Sequence, residues 1–114
     1  GEVAVMLEGQ PQMEVGCHTD VMNSCPKSVA IPMLLRSANP QIIAVDEITQ
    51  ARDLAAMEEA AYCGVRFLAT LHADSADDLH RRPLLQKLQK MHLFEKAITI
   101  HMADTLHRYT IRDL

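Results

Sequence analysis

Two adjacent carboxylates, Asp46 and Glu47, directly follow the apolar run QIIAV (residues 41–45), and an imidazole, His72, directly follows a second apolar run, VRFLATL (residues 65–71). Both runs have the length and composition of buried strands. An acid placed at the end of such a strand can hold magnesium through water. A neighbouring carboxylate can orient or deprotonate an attacking water. An imidazole on the adjacent strand can donate to a terminal phosphate or sense its loss. Nucleotide hydrolysis is the chemistry this spacing suits. The plainer alternative is that Asp46 and Glu47 only favour the positive end of the helix that follows. The imidazole on the next strand, in register with them, weighs against that alternative.

Positioning these groups requires a strand, a helix and a second strand within about 30 residues. Thr49 can cap a helix running through Tyr62 or Cys63, with Leu54, Met57 and Ala61 facing inward at helical spacing. Gly64 can take the left-handed conformation that ends a helix. Two strands joined in this way pair in parallel through a right-handed crossover, so both deliver their carboxyl ends to one edge. Because the runs are unbroken rather than alternating, the sheet is expected to be covered by helices on both faces.

The flanking segments are read in the same terms. Residues 1–7 (GEVAVML) form a short strand, and residues 8–24 a loop rich in turn formers. A helix is expected over residues 28–38, with Pro32 tolerated in its first turn and Asn39-Pro40 stopping it. Pro83 opens a further helix with Leu84, Leu85, Leu88 and Met91 on its apolar side. Residues 97–101 and 106–111 form an antiparallel hairpin about a turn at Asp104-Thr105. The whole is one α/β domain, residues 1–114, with a mainly parallel sheet and an antiparallel edge hairpin near its carboxyl end.

Composition narrows the classes. With 114 residues, 48% of them hydrophobic, a single core can form, although only two Tyr and two Phe are present and Trp is missing. The net charge of −4 and the short basic stretch at Arg81 and Arg82, continued by Lys87 and Lys90, argue against direct nucleic-acid binding. No run approaches the roughly 20 apolar residues of a membrane-spanning helix. Cys17, Cys25 and Cys63 fit neither a disulfide framework nor a C-x-x-C site, and the six His form no zinc-binding pair. They read as reduced cytosolic thiols and as histidines without structural zinc. The four glycines make no G-x-x-x-x-G-K-[ST] loop, so the usual backbone cradle for phosphates is missing from this stretch.

Three blocks resemble the stage III sporulation protein AA family. The first, residues 9–27 (GQPQMEVGCHTDVMNSCPK), is similar to the family's G-x-P-Q-x-x-V-G-x-R-T-D-V loop followed by C-P-K. Gly9, Pro11, Gln12, Val15, Gly16, Thr19, Asp20, Val21, Cys25, Pro26 and Lys27 match it. The second, residues 36–48 (RSANPQIIAVDEI), looks like its Walker B segment. The third, residues 70–75 (TLHADS) with Arg81, Arg82 and Pro83, looks like its histidine box and the R-R-P after it. His18 stands where the family has an Arg, a permanently charged group that can bridge subunits; His carries only part of a charge near neutrality.

The resemblance implies the carboxy-terminal part of a RecA-like, P-loop NTPase domain, a three-layer sandwich of the kind found in type II and type IV secretion ATPases. It implies ATP and magnesium as cofactors of the full-length protein, and a chain that alone turns over no ATP. Asp46 would be the magnesium-associated acid, acting through water, Glu47 the catalytic carboxylate and His72 the phosphate sensor. Thr19 and Asp20 join Asp46 among the nucleotide-binding residues, and Glu2 matches the end of an acidic segment. A hexameric ring in the cytoplasm, recruited by a membrane-anchored sporulation partner, would drive assembly of a channel between mother cell and forespore. Two other readings stay open: a RecA-like scaffold or interaction domain that has lost catalysis, and a related pilus or secretion motor.

Overall fold

A computed structural model describes residues 6, 7, 10, 11, 25–73, 78–103 and 105–114. Met6–Leu7 (β1) and Gln10–Pro11 (β2) pair antiparallel, where the sequence suggested only the end of a strand and part of a loop. The rest of the expected first strand and of the loop, including Glu2, Cys17, His18, Thr19 and Asp20, lies outside the described residues, as does Asp104. The chain divides into two compact units, Gly1–His72 and Ala73–Leu114.

The first unit is built on the strand–helix–strand segment. Helix α1 (Lys27–Ser37) starts after Pro26, whose carbonyl accepts from the N–H groups of Val29 and Ala30 at 3.0 and 2.8 Å. Pro32 is the sixth residue of α1, inside the helix rather than in its first turn as expected, and it removes the N–H that would bond the Ser28 carbonyl. Asn39 ends α1 with φ +46, a left-handed value that Asn tolerates better than most residues. Strand β3 (Ile42–Val45), helix α2 (Ala51–Tyr62) and strand β4 (Arg66–Ala69) follow. β3 and β4 pair in parallel, from Ile42 opposite Arg66 to Val45 opposite Ala69. The crossover expected from the sequence is therefore present.

α2 packs against α1 and β4. Its inward face is Leu54, Met57 and Ala60, all fully buried, with Ala30 and Ile31 of α1 and Ile43 and Val45 of β3 also in the core. Ala60, fully buried, takes the place assigned to Ala61, which is half-buried. Thr49 is not the cap. Gln50 occupies the N-cap position with extended backbone and makes no side-chain capping bond. The first turn gains instead from Asp53, an acid near the positive end of the helix, whose N–H donates to the Gln50 carbonyl at 3.1 Å.

The expectation of helices on both sheet faces does not hold among the described residues. Burial alternates along β3, so Ile43 and Val45 are covered while Ile42 is 64% exposed, and Leu68 of β4 shares its open face. An unbroken apolar run does not reveal which of its two faces a helix will cover.

Gly64 closes α2 with φ +90, as its position suggested, and a Cβ there would meet no atom within 4 Å. Gly64→Ala therefore carries a conformational cost without a steric one. The unfolding midpoint of the variant should fall by the equivalent of about 1–2 kcal/mol.

In the second unit, α3 (Asp78–Arg81) packs against α4 (Pro83–Lys90). Pro83 opens α4 as expected, Leu85 and Leu88 are buried, and Leu84 and Met91 are half-buried. Arg81, Arg82, Lys87 and Lys90 are all exposed. β5 (Lys96–Ala103) and β6 (Leu106–Asp113) form the carboxy-terminal antiparallel hairpin, paired from Lys96 opposite Asp113 to Ala103 opposite Leu106. The hairpin is longer than its apolar core suggested, and it forms a two-stranded sheet of its own. With one parallel pair beside two antiparallel ones, the described strands are not mainly parallel. One hairpin face gathers Ile98, Ile100, Met102, Tyr109 and Ile111, all exposed. Cys25 and Cys63 are free thiols.

Candidate active site

The parallel register decides what meets at the sheet edge. With Val45 opposite Ala69, the next residue on each strand is Asp46 on one side and Thr70 on the other. Backbone pairing continues past the strands. The Thr70 N–H donates to the Val45 carbonyl at 3.0 Å, and the Ile48 N–H donates to the Thr70 carbonyl at 3.1 Å. Ile48 is buried and anchors the chain beyond the two acids.

Between these bonds the Thr70 hydroxyl works in both directions. It accepts from the Glu47 N–H at 2.9 Å and donates to Asp46 Oδ1 at 3.1 Å. Glu47 has φ +51, a left-handed conformation that costs an L-residue other than glycine about 1–2 kcal/mol. Such strain persists only where the surroundings impose it, and it gathers at functional sites. Here the surroundings are the two backbone bonds and the hydroxyl of Thr70.

The geometry thus brings Asp46 and Glu47 together with Thr70, a residue that sequence reasoning quoted within TLHADS but gave no role. Asp46 and Thr70 are half-buried; Glu47 and His72 are exposed. His72 follows two residues after Thr70, at the same carboxyl edge of the parallel pair. Thr19 and Asp20 lie outside the described residues, so their relation to this edge is not part of the site as drawn. The only forward signal for Thr70 was a hydroxyl residue at a strand end, and its weight depends on a register that local pattern does not define to one residue.

Magnesium fits the donor set in a restricted way. No group of three or more His, Cys, Asp or Glu among the described residues is arranged to hold a metal ion. Magnesium commonly keeps several waters and is bound through one or two carboxylates plus substrate phosphates. A half-buried Asp46 with one oxygen oriented by a hydroxyl is the kind of carboxylate that can meet it through water. No helix among the described residues is long and apolar enough to cross a membrane.

Comparison with known proteins places these features in context. A family profile described as sporulation stage III, protein AA, matches residues 1–110. Stage III sporulation protein AA of Bacillus subtilis (strain 168) is 35% identical over 102 residues, which make up 90% of this chain and 33% of that protein. The chain therefore spans a third of the length of that relative. No solved structure matches it.

Proposed function

The chain belongs to the sporulation stage III protein AA family, and on that premise we propose that it carries the hydrolytic edge of a RecA-like ATPase serving a channel between mother cell and forespore. The observation that carries this reading is the pair Asp46–Glu47 at the end of β3, tied to β4 by Thr70 beside His72. A solvated helix-end pair would need no cross-strand clamp and no left-handed glutamate.

On this reading Asp46 is the carboxylate that would hold magnesium through water. Glu47, exposed and next to it, orients the attacking water and takes up its proton. His72 donates a hydrogen bond to the terminal phosphate and registers its departure. Magnesium, when bound, would neutralise charge on the phosphates. Thr19 and Asp20 would contribute further nucleotide contacts, as family resemblance implies. The working assembly would be a hexameric ring in the cytoplasm, recruited to the membrane by an anchored partner.

Magnesium-dependent ATP turnover by the full-length protein is the direct test. Asp46→Asn keeps shape and removes the charge that would hold magnesium through water, so turnover or apparent magnesium affinity should fall by about 10- to 100-fold. Full-length wild-type protein that shows neither turnover nor a nucleotide-dependent thermal shift would favour the scaffold reading.

A further inference from the structure

We propose that Thr70 is a positioning residue whose hydroxyl holds Glu47 in its left-handed conformation and orients Asp46, so that the two carboxylates act as one unit. The inference deepens the hydrolytic reading of this edge and rests on it. Its basis is geometric. One hydroxyl accepts from the Glu47 N–H and donates to Asp46 Oδ1, so a single side chain contacts both acids. A threonine hydroxyl has one proton to give and lone pairs to receive. Here both capacities are used on consecutive residues of the neighbouring strand end.

Threonine suits the task for a second reason. Its β-branched side chain is stiff about χ1, and its backbone is held on both sides by the bonds to Val45 and Ile48. The hydroxyl is therefore fixed by the sheet rather than free to rotate with solvent. Without it, the Glu47 N–H loses its acceptor, and only the flanking backbone bonds at Val45 and Ile48 remain to hold φ +51 at a residue with a Cβ. The peptide can then relax toward the right-handed region, which swings the Glu47 side chain away from the position that Asp46 defines.

The test compares Thr70→Val, Thr70→Ser and Glu47→Gln in the full-length protein. Thr70→Val keeps the shape and deletes the hydroxyl, so kcat should fall by about 10- to 100-fold, the cost of a misplaced catalytic group, while KM for ATP and the unfolding midpoint change little. Thr70→Ser keeps the hydroxyl and should recover most of the lost rate. Adding Thr70→Val to Glu47→Gln should cost less than Thr70→Val costs alone, because one of the two groups being positioned is already disabled.

Hydrogen exchange at single-residue resolution supplies a readout independent of turnover. In Thr70→Val the Glu47 amide should exchange faster, while the amides of residue 70 and Ile48, whose acceptors are backbone carbonyls, keep their protection. Loss of protection at all three amides would mean that Thr70 merely holds the sheet edge together, and would overturn the proposal. Wild-type kcat in Thr70→Val beside an inactive Glu47→Gln overturns the role of Thr70 and leaves the hydrolytic reading standing. Wild-type turnover in Glu47→Gln overturns the hydrolytic reading, and the positioning role falls with it.

Discussion

Glu47→Gln in the full-length protein should lower ATP turnover by about 10²–10⁴-fold, the usual contribution of a positioned general base, with nucleotide binding retained. The substitution is close to isosteric and replaces an anion that can accept a proton with a neutral amide that cannot. The backbone bonds that define the site do not involve the side chain: the Glu47 N–H still reaches the Thr70 hydroxyl, and Ile48 still reaches the Thr70 carbonyl. Glu47 is also exposed, so neutralising it leaves no buried group unpaired. Steady-state turnover and nucleotide titration measured on the same preparation separate chemistry from binding. Undiminished kcat would remove Glu47 from the mechanism, and a parallel loss of binding would mean that the carboxylate positions nucleotide rather than water.

The second large effect concerns the scaffold beneath the site. Leu54→Ala should destabilise the protein by about 2–5 kcal/mol, the range for truncating a fully buried leucine. Leu54 is 0% exposed on the α2 inward face, one turn before Met57, which is equally buried. The deletion removes apolar contacts and leaves a cavity that two helices and a sheet can only partly close. A suitable contrast is Tyr62→Ala on the same helix, where the side chain is 83% exposed and the change should stay within about 0.5 kcal/mol. Urea unfolding reads both: the Leu54→Ala midpoint should drop at unchanged slope. Equal effects at the two positions would contradict the burial of the α2 face.

These two expectations are linked through α2. The helix joins β3 to β4 and packs on β4, so its core contacts maintain the register that sets Asp46 beside Thr70. A milder core change that loosens the register should reduce turnover before it unfolds the protein.

The strand–helix–strand segment, the end of α2 at Gly64, the start of α4 at Pro83 and the carboxy-terminal hairpin were all legible in the amino-acid sequence. Each depends on local chemistry: apolar runs of strand length, a residue free to adopt positive φ, a ring that suits the first turn of a helix, and apolar stretches either side of a turn. The sequence also determined that Asp46 and Glu47 stand at one strand end and His72 just beyond the next. The family was legible for a similar reason, since the stretch from Gly9 to Lys27 carries its pattern in residue identities rather than in shape.

How that edge is held follows from the folded arrangement of the strands. The partnership of Thr70 with Asp46 and Glu47 spans 24 and 23 residues and requires the strands to be aligned to a single position. A slip of one residue would put another side chain there. The left-handed Glu47 is likewise invisible to propensity, because nothing in a glutamate favours φ +51 and the bonds that impose it come from a neighbouring strand. Which face of β3 is covered, and whether Thr49 or Gln50 begins α2, were settled in the same way. Apolar pattern and residue type say that a strand is buried or a helix begins; the packing of the elements against one another says on which side and at which residue.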